Sequence, residues 1–144
     1  MLRTSDEISL HIEDNPDPND FRRLVQGLLS FNTGRGKTTD YDEFVVFLKS
    51  GRRVVGGVKG YVQWGWLFIS HLWVNEALRG QGWGTAVMQA AEREGVRRGC
   101  RAVHLDTFSF QAPGFYEKLG YLPFGVLDDY PTGHRRIFLW KPLA

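Results

Sequence analysis

Apolar residues change their spacing several times along this chain, and each change predicts an element. Residues 8–12 alternate apolar with polar, the two-residue period of a short strand. Residues 14–20 gather Asp, Asn and Pro into a turn, with Asn19 or Asp20 placed to cap a helix. Phe21, Leu24, Val25, Leu28 and Leu29 follow at intervals of three and four, which is one helical face. Gly34 and Gly36 end it, and residues 34–42 read as a polar loop. Residues 44–48 and 54–64 read as strands about a turn at Gly51, the second loosened by Gly56, Gly57 and Gly60. Gly65, between Trp64 and Trp66, turns the chain into an apolar strand over residues 68–74. Hairpins in succession predict an antiparallel meander.

The helical period then returns over residues 82–98. Trp83, Ala86, Val87, Ala90 and Ala91 form its buried stripe, while Glu92, Arg93, Glu94, Arg97 and Arg98 face solvent. Gly99 stops it, and residues 102–106 form a second buried strand. A strand, a helix and a strand predict a right-handed parallel crossover. Pro113 opens a short helix over residues 112–119, which Gly120 ends. Residues 121–127 and 136–140 complete the sheet as a hairpin about Pro131, Thr132 and Gly133. The expected order is β-α-β-β-β-α-β-α-β-β. This is an α/β chain with a mixed sheet, mostly antiparallel, with one parallel pair. If that pair splays, a slot opens at its C-terminal ends, where such sheets bind ligands.

Composition narrows the classes. A chain of 144 residues predicts a single domain over 1–144 with a real core. Its 42% apolar and 24% charged residues suit a globular protein, and 14% aromatic is high. A formal charge of +2 gives no footing for nucleic acid. No apolar run approaches about 18 residues, which argues against a membrane span, and no signal-peptide core opens the chain. The lone Cys100 suits a cytoplasmic location and reads as a packing residue. No metal site is expected.

The chemistry gathers between the central strand and the long helix. Arg79-Gly80-Gln81-Gly82-Trp83-Gly84 is a Gly-rich turn at a helix start, where backbone amides lack intrahelical partners and the macrodipole is positive. That is an anion site, and Arg79 adds a guanidinium fork suited to phosphate. It is not a P-loop, because no Lys follows the glycines. Nor is it the dinucleotide fingerprint, because Thr85 stands where the third Gly belongs.

Arg79-x-x-Gly82-x-Gly84, five residues after Val74, resembles the signature of the GNAT superfamily of acetyl-CoA-dependent N-acetyltransferases. Phe115-Tyr116-Glu117-Lys118-Leu119-Gly120-Tyr121 resembles its second motif, in the right order and at the right separation. The resemblance runs from about residue 54 to the C-terminus. It implies a six- to seven-stranded sheet with a splayed parallel pair and flanking helices. It also implies that Arg79, Gly80, Gln81, Gly82, Trp83, Gly84 and Thr85 hold the cofactor pyrophosphate, and that the backbone of Leu72, Trp73 and Val74 binds the pantetheine arm. Tyr116 is then the acid for the leaving thiolate, its ordinary pKa near 10 keeping it protonated. Many members carry an Asn where this chain has Ser109, a shorter side chain for the same cofactor contact. The base is open between His104 and Asp106, which share a strand face, with His71 and Glu76 behind them. Phe31, Trp64, Trp66, Asp128, Asp129, Tyr130 and His134 are acceptor-side candidates.

The leading expectation is acetyl transfer from acetyl-CoA to a primary amine of a small molecule: an amino sugar, antibiotic or polyamine. A protein N-terminus or lysine is the alternative acceptor, and a non-catalytic acyl-CoA-binding module the alternative of another class. The sequence leaves a homodimer open.

Overall fold

The structure is a computed structural model that describes residues 7–36 and 41–143. The chain falls into two units, residues 1–39 and 40–144. In the first, α1 (Pro18–Gly34) begins one turn earlier than the spacing of its apolar residues suggests. Its cap is Asp17, not Asn19 or Asp20: the Asp17 carboxylate accepts from the Asn19 amide at 2.7 Å. Pro18 follows at the first helical position, where its fixed φ fits and its missing N–H is no loss. The strand expected over residues 8–12 does not form; Leu10 and Ile12 are fully exposed and no described strand pairs with them. Alternation gives a segment two faces but supplies no ladder partner. Of the loop expected over residues 34–42, residues 37–40 lie outside the described residues.

The second unit holds β1 (Asp42–Ser50), β2 (Arg53–Gln63), β3 (Trp66–Val74), α2 (Trp83–Arg97), β4 (Ala102–Phe108), α3 (Pro113–Lys118), β5 (Leu122–Asp128) and β6 (Arg135–Pro142). They build one six-stranded sheet in the order β1-β2-β3-β4-β6-β5. Only β3 and β4 run parallel; the other neighbours are antiparallel. Trp64 and Gly65 both take positive φ, 51° and 78°, the two-residue hairpin turn whose twist matches that of the strands it joins.

α2 packs on the sheet through Val87, Met88 and Ala91, which meet Leu67, Val103, Leu105 and Leu139 in a fully buried core. Its inner face comprises residues 87, 88, 91, 92 and 95, so the expected stripe is rotated. Trp83 and Ala86 are exposed, and Glu92, expected in solvent, is buried. Glu92 can be inside because both its oxygens are bonded. Tyr121 Oη donates to Oε2 at 2.6 Å and Lys141 Nζ donates to Oε1 at 2.9 Å. A buried charge is tolerated when it is paired and hydrogen-bonded.

The feature that makes room for function lies between β3 and β4. Their parallel pairing covers three positions only: Trp66 with Ala102, Leu67 with Val103 and Phe68 with His104. Just beyond, the β2–β3 register slips: Lys59 faces His71 while Gly60 faces Ile69, so Ser70 is a surplus residue on β3. A bulge of this kind bends its strand and strengthens the local twist. β3 therefore leaves β4, which stays paired with β6 as far as Phe108. Gly60 is required at the slip, since a Cβ there would sit 2.6 Å from the Phe68 carbonyl oxygen.

Candidate active site

The wedge between the two strands widens into a cleft of about 940 Å³. Ile69 to Val74 of β3 form one wall and Leu105, Asp106 and Thr107 of β4 the other. The start of α2, together with Phe110, Gln111, Ala112, Phe115 and Tyr116, completes the lining. Beyond Phe68 the β3 edge facing β4 has no strand partner, so its amides and carbonyls are open to an extended ligand, as in strand addition.

At the α2 end, Gly80 and Gly82 take φ of 76° and 86°. A Cβ built on either would meet nothing within 4 Å. These glycines leave a backbone cradle that side chains would fill. No side chain caps α2, and its first bond runs from the Ala86 amide to the Gly82 carbonyl at 3.1 Å. The amides of Trp83, Gly84 and Thr85 thus precede the helical ladder and converge where anions are favoured. Arg79 Nε donates to the Val74 carbonyl at 3.2 Å, tying the turn to the strand end. Its two terminal nitrogens make no bond among the described residues and remain for a ligand. This donor set fits a diphosphate, and the β3 edge fits an amide-bearing arm such as that of coenzyme A. Gly84 has a second duty: a Cβ there would lie 3.2 Å from the Phe115 ring, so glycine lets α2 and α3 approach.

Leu72, Trp73, Val74, Arg79, Gly80, Gly82, Trp83, Gly84 and Thr85 all line the cleft. Gln81 and Ser109 do not. Gln81 Nε2 donates back to the Ala77 carbonyl at 3.4 Å. Ser109 is spent on the β4–β6 junction: its amide donates to the Arg135 carbonyl at 2.8 Å and its Oγ accepts from the Arg135 amide at 2.9 Å.

Tyr116 lines the cleft from α3, its ring edge-on to Phe115 and Tyr121. Burial, and next the charge of Asp106, push its phenol above the ordinary value, so it holds its proton throughout the neutral range. The two candidate bases separate. Asp106 is on the cleft wall, whereas His104 is at the last paired position, packed against Phe68 at 4.9 Å and Trp66 at 5.7 Å between ring centroids. Burial lowers the His104 pKa, with Asp106 opposing. Asp106 is ion-paired: Arg136 Nε donates to Oδ1 at 2.9 Å, and Nη2 lies 2.8 Å from the same oxygen. His71 also reaches the cleft, with Nδ1 2.8 Å from Ser70 Oγ, while Glu76 sits in a short 3-10 turn away from it.

Among the acceptor-side candidates, none of Trp64, Trp66, Asp128, Asp129, Tyr130 and His134 lines the cleft, and Phe31 belongs to the other unit. Asp129 closes its own turn by accepting from the Gly133 amide at 2.9 Å. Tyr130 stacks near Phe108, and His134 lies edge-on to Phe110. Residues that sequence reasoning did not assign include Phe110 and Gln111. Gln111 Oε1 accepts from Thr107 Oγ1 and from the Phe108 amide, both at 3.0 Å, which folds the end wall back onto β4. Its signal was a Gln in a short loop directly before a Pro-initiated helix.

The fold and this cleft are those of an acetyltransferase. The Acetyltransferase (GNAT) family matches residues 9–121, and the chain belongs to that family. Blasticidin-S acetyltransferase of Streptomyces morookaense is 41% identical over 91 residues, covering 62% of this chain and 67% of that protein. An acetyltransferase of Agrobacterium fabrum is 30% identical over 131 residues, covering 90% and 96%. The crystal structure of an acetyltransferase from Bacillus cereus superposes with a TM-score of 0.83 at 33% identity, covering 93% of this chain and 98% of that one. Among the described residues no helix is long and apolar enough to cross a membrane.

Proposed function

We propose that the chain moves an acetyl group from acetyl-CoA directly to a primary amine of a small molecule, with no acyl-enzyme on the way. The supporting observation is one continuous cleft that joins the uncapped α2 start to Tyr116 and Asp106 along an unpaired strand edge. When bound, acetyl-CoA supplies a thioester acetyl group and departs as a thiol. The amides of Trp83, Gly84 and Thr85, with Arg79, hold its diphosphate. The open β3 edge from Leu72 to Val74 aligns its arm, and an amide of that edge polarises the acyl carbonyl. The neutral amine attacks, and Tyr116 Oη, protonated at working pH, gives its proton to the departing sulfur. The proton shed by the acylated nitrogen passes through solvent to restore the phenol. Cys100 is buried just before the start of β4 and does not line the cleft; its thiol is pushed up by burial and takes no part.

A small amine is favoured over a protein acceptor by the Streptomyces relative, whose name gives blasticidin S as its acceptor. Incubating the protein with acetyl-CoA and a panel of blasticidin S, kanamycin and spermidine, and following thiol release, tests the reading. Acetyl-dependent release above background with at least one amine is expected. Tight acetyl-CoA binding with no turnover on any of them would instead make this an acyl-CoA-binding module.

A further inference from the structure

Arg136 carries an unusual load for a strand residue at a sheet end. Its guanidinium carbon lies 5.6 Å from the Phe108 ring centroid, 5.4 Å from Tyr130 and 5.3 Å from Phe138. Nη1 donates to Tyr130 Oη at 3.3 Å, while Nε and Nη2 converge on one oxygen of Asp106. Three rings and a phenol therefore fix the guanidinium in place, and cation–π attraction adds to the hydrogen bonds. The other Asp106 oxygen, Oδ2, has no partner among the described residues. Asp106 and Tyr116 both line the cleft, and the charge of Asp106 is one cause of the raised Tyr116 pKa.

We propose that Asp106 is the docking point for the acceptor's ammonium and that Arg136, held by Phe108, Tyr130 and Phe138, is a positioning residue that aims the free Oδ2 into the cleft. This rests on the acetyltransferase reading above and adds to it the class of acceptor: an amine that arrives as a cation and is recognised by charge before it is deprotonated. The pairing has a chemical logic. An Arg that took both carboxylate oxygens in a bidentate fork would engage each of them and leave a substrate only their remaining lone pairs. Here the guanidinium gathers on Oδ1, which holds the carboxylate and leaves the second oxygen unengaged. A lysine could not do the same, since a point charge would neither fix the plane nor stack between rings.

Steady-state kinetics on Asp106→Asn, Arg136→Met and Arg136→Lys, each checked by thermal melting and by acetyl-CoA calorimetry, tests this with the same three amines. For every amine the wild type turns over, Asp106→Asn should raise the amine KM at least tenfold, more than any fall in kcat, with acetyl-CoA affinity within about twofold. Arg136→Met should raise the amine KM in the same sense, and Arg136→Lys should restore part of the loss. A fall in kcat with unchanged amine KM in Asp106→Asn would make Asp106 the base and overturn the docking role. An unchanged KM and kcat would remove Asp106 from the acceptor side altogether. Wild type that binds acetyl-CoA but acetylates none of the amines overturns the function reading and this inference with it.

Discussion

Tyr116 is where the proposed chemistry can be separated from binding. It lines the cleft, and burial raises its pKa. Tyr116→Phe should lower kcat by an order of magnitude or more while calorimetry finds acetyl-CoA affinity unchanged. Because the raised pKa keeps the phenol neutral past its ordinary value, no basic limb from Tyr116 should appear in the kcat profile below about pH 10. Tyr121 gives the matching case for stability. Burial, then its bond to Glu92, raises its pKa far above the ordinary value. The unfolded phenol ionises first, near pH 10, so its contribution is complete below that pH and drains away as pH climbs further. Urea titrations should therefore find stability falling above pH 10, less steeply in Tyr121→Phe. At pH 7 the same variant should be less stable by about 1.5–3 kcal/mol, the loss of one buried bond to a charged group. At this scale alternation put His104 and Asp106 correctly on one strand face. It could not say where pairing with β3 ends, and that point alone sends one into an aromatic stack and the other to the cleft.

At the scale of elements, the turn into α2 is a device of backbone rather than side chain. Gly82→Ala meets strain at φ 86° but adds no charge, whereas Gly82→Asp puts a carboxylate into the cradle. Calorimetry should find acetyl-CoA binding weakened at least tenfold by Gly82→Asp and by Arg79→Ala, with Gly82→Ala in between. Gly84→Val should act differently. A side chain 3.2 Å from Phe115 pushes α3 off α2, so melting temperature and turnover should fall together. The turn was legible because glycine spacing and helix starts are local facts. The inner face of α2 was not: Glu92 is polar by sequence, and what lets it go inside is Tyr121 and Lys141, 29 and 49 residues further on. The Asp17 cap was missed for a smaller reason, a Pro that begins its helix directly after an acidic residue.

For the whole molecule, the order and type of the elements in the second unit could be read from period and punctuation, because each strand and helix there has a glycine or proline at or near at least one end. What the sequence could not carry was the pairing. The first segment alternates well and joins nothing, while the last hairpin inserts β6 beside β4 and leaves β5 at the margin. Hydrogen-exchange mass spectrometry should reflect this. Amides around Leu67, Val103 and Leu139, all fully buried, should exchange slowest, and those of residues 7–13 at nearly the free-chain rate.

Ser70 carries a further implication for how such a chain can vary. Two residues stand opposite one at the bulge, so losing Ser70 between Ile69 and His71 would restore one-to-one pairing with β2 and leave Leu72 and Val74 on the faces they now hold. β3 could then zip onto β4, and the molecule would keep its core while losing its mouth. A single-codon deletion there should yield a well-folded protein whose affinity for acetyl-CoA, read by calorimetry, falls well below that of the wild type.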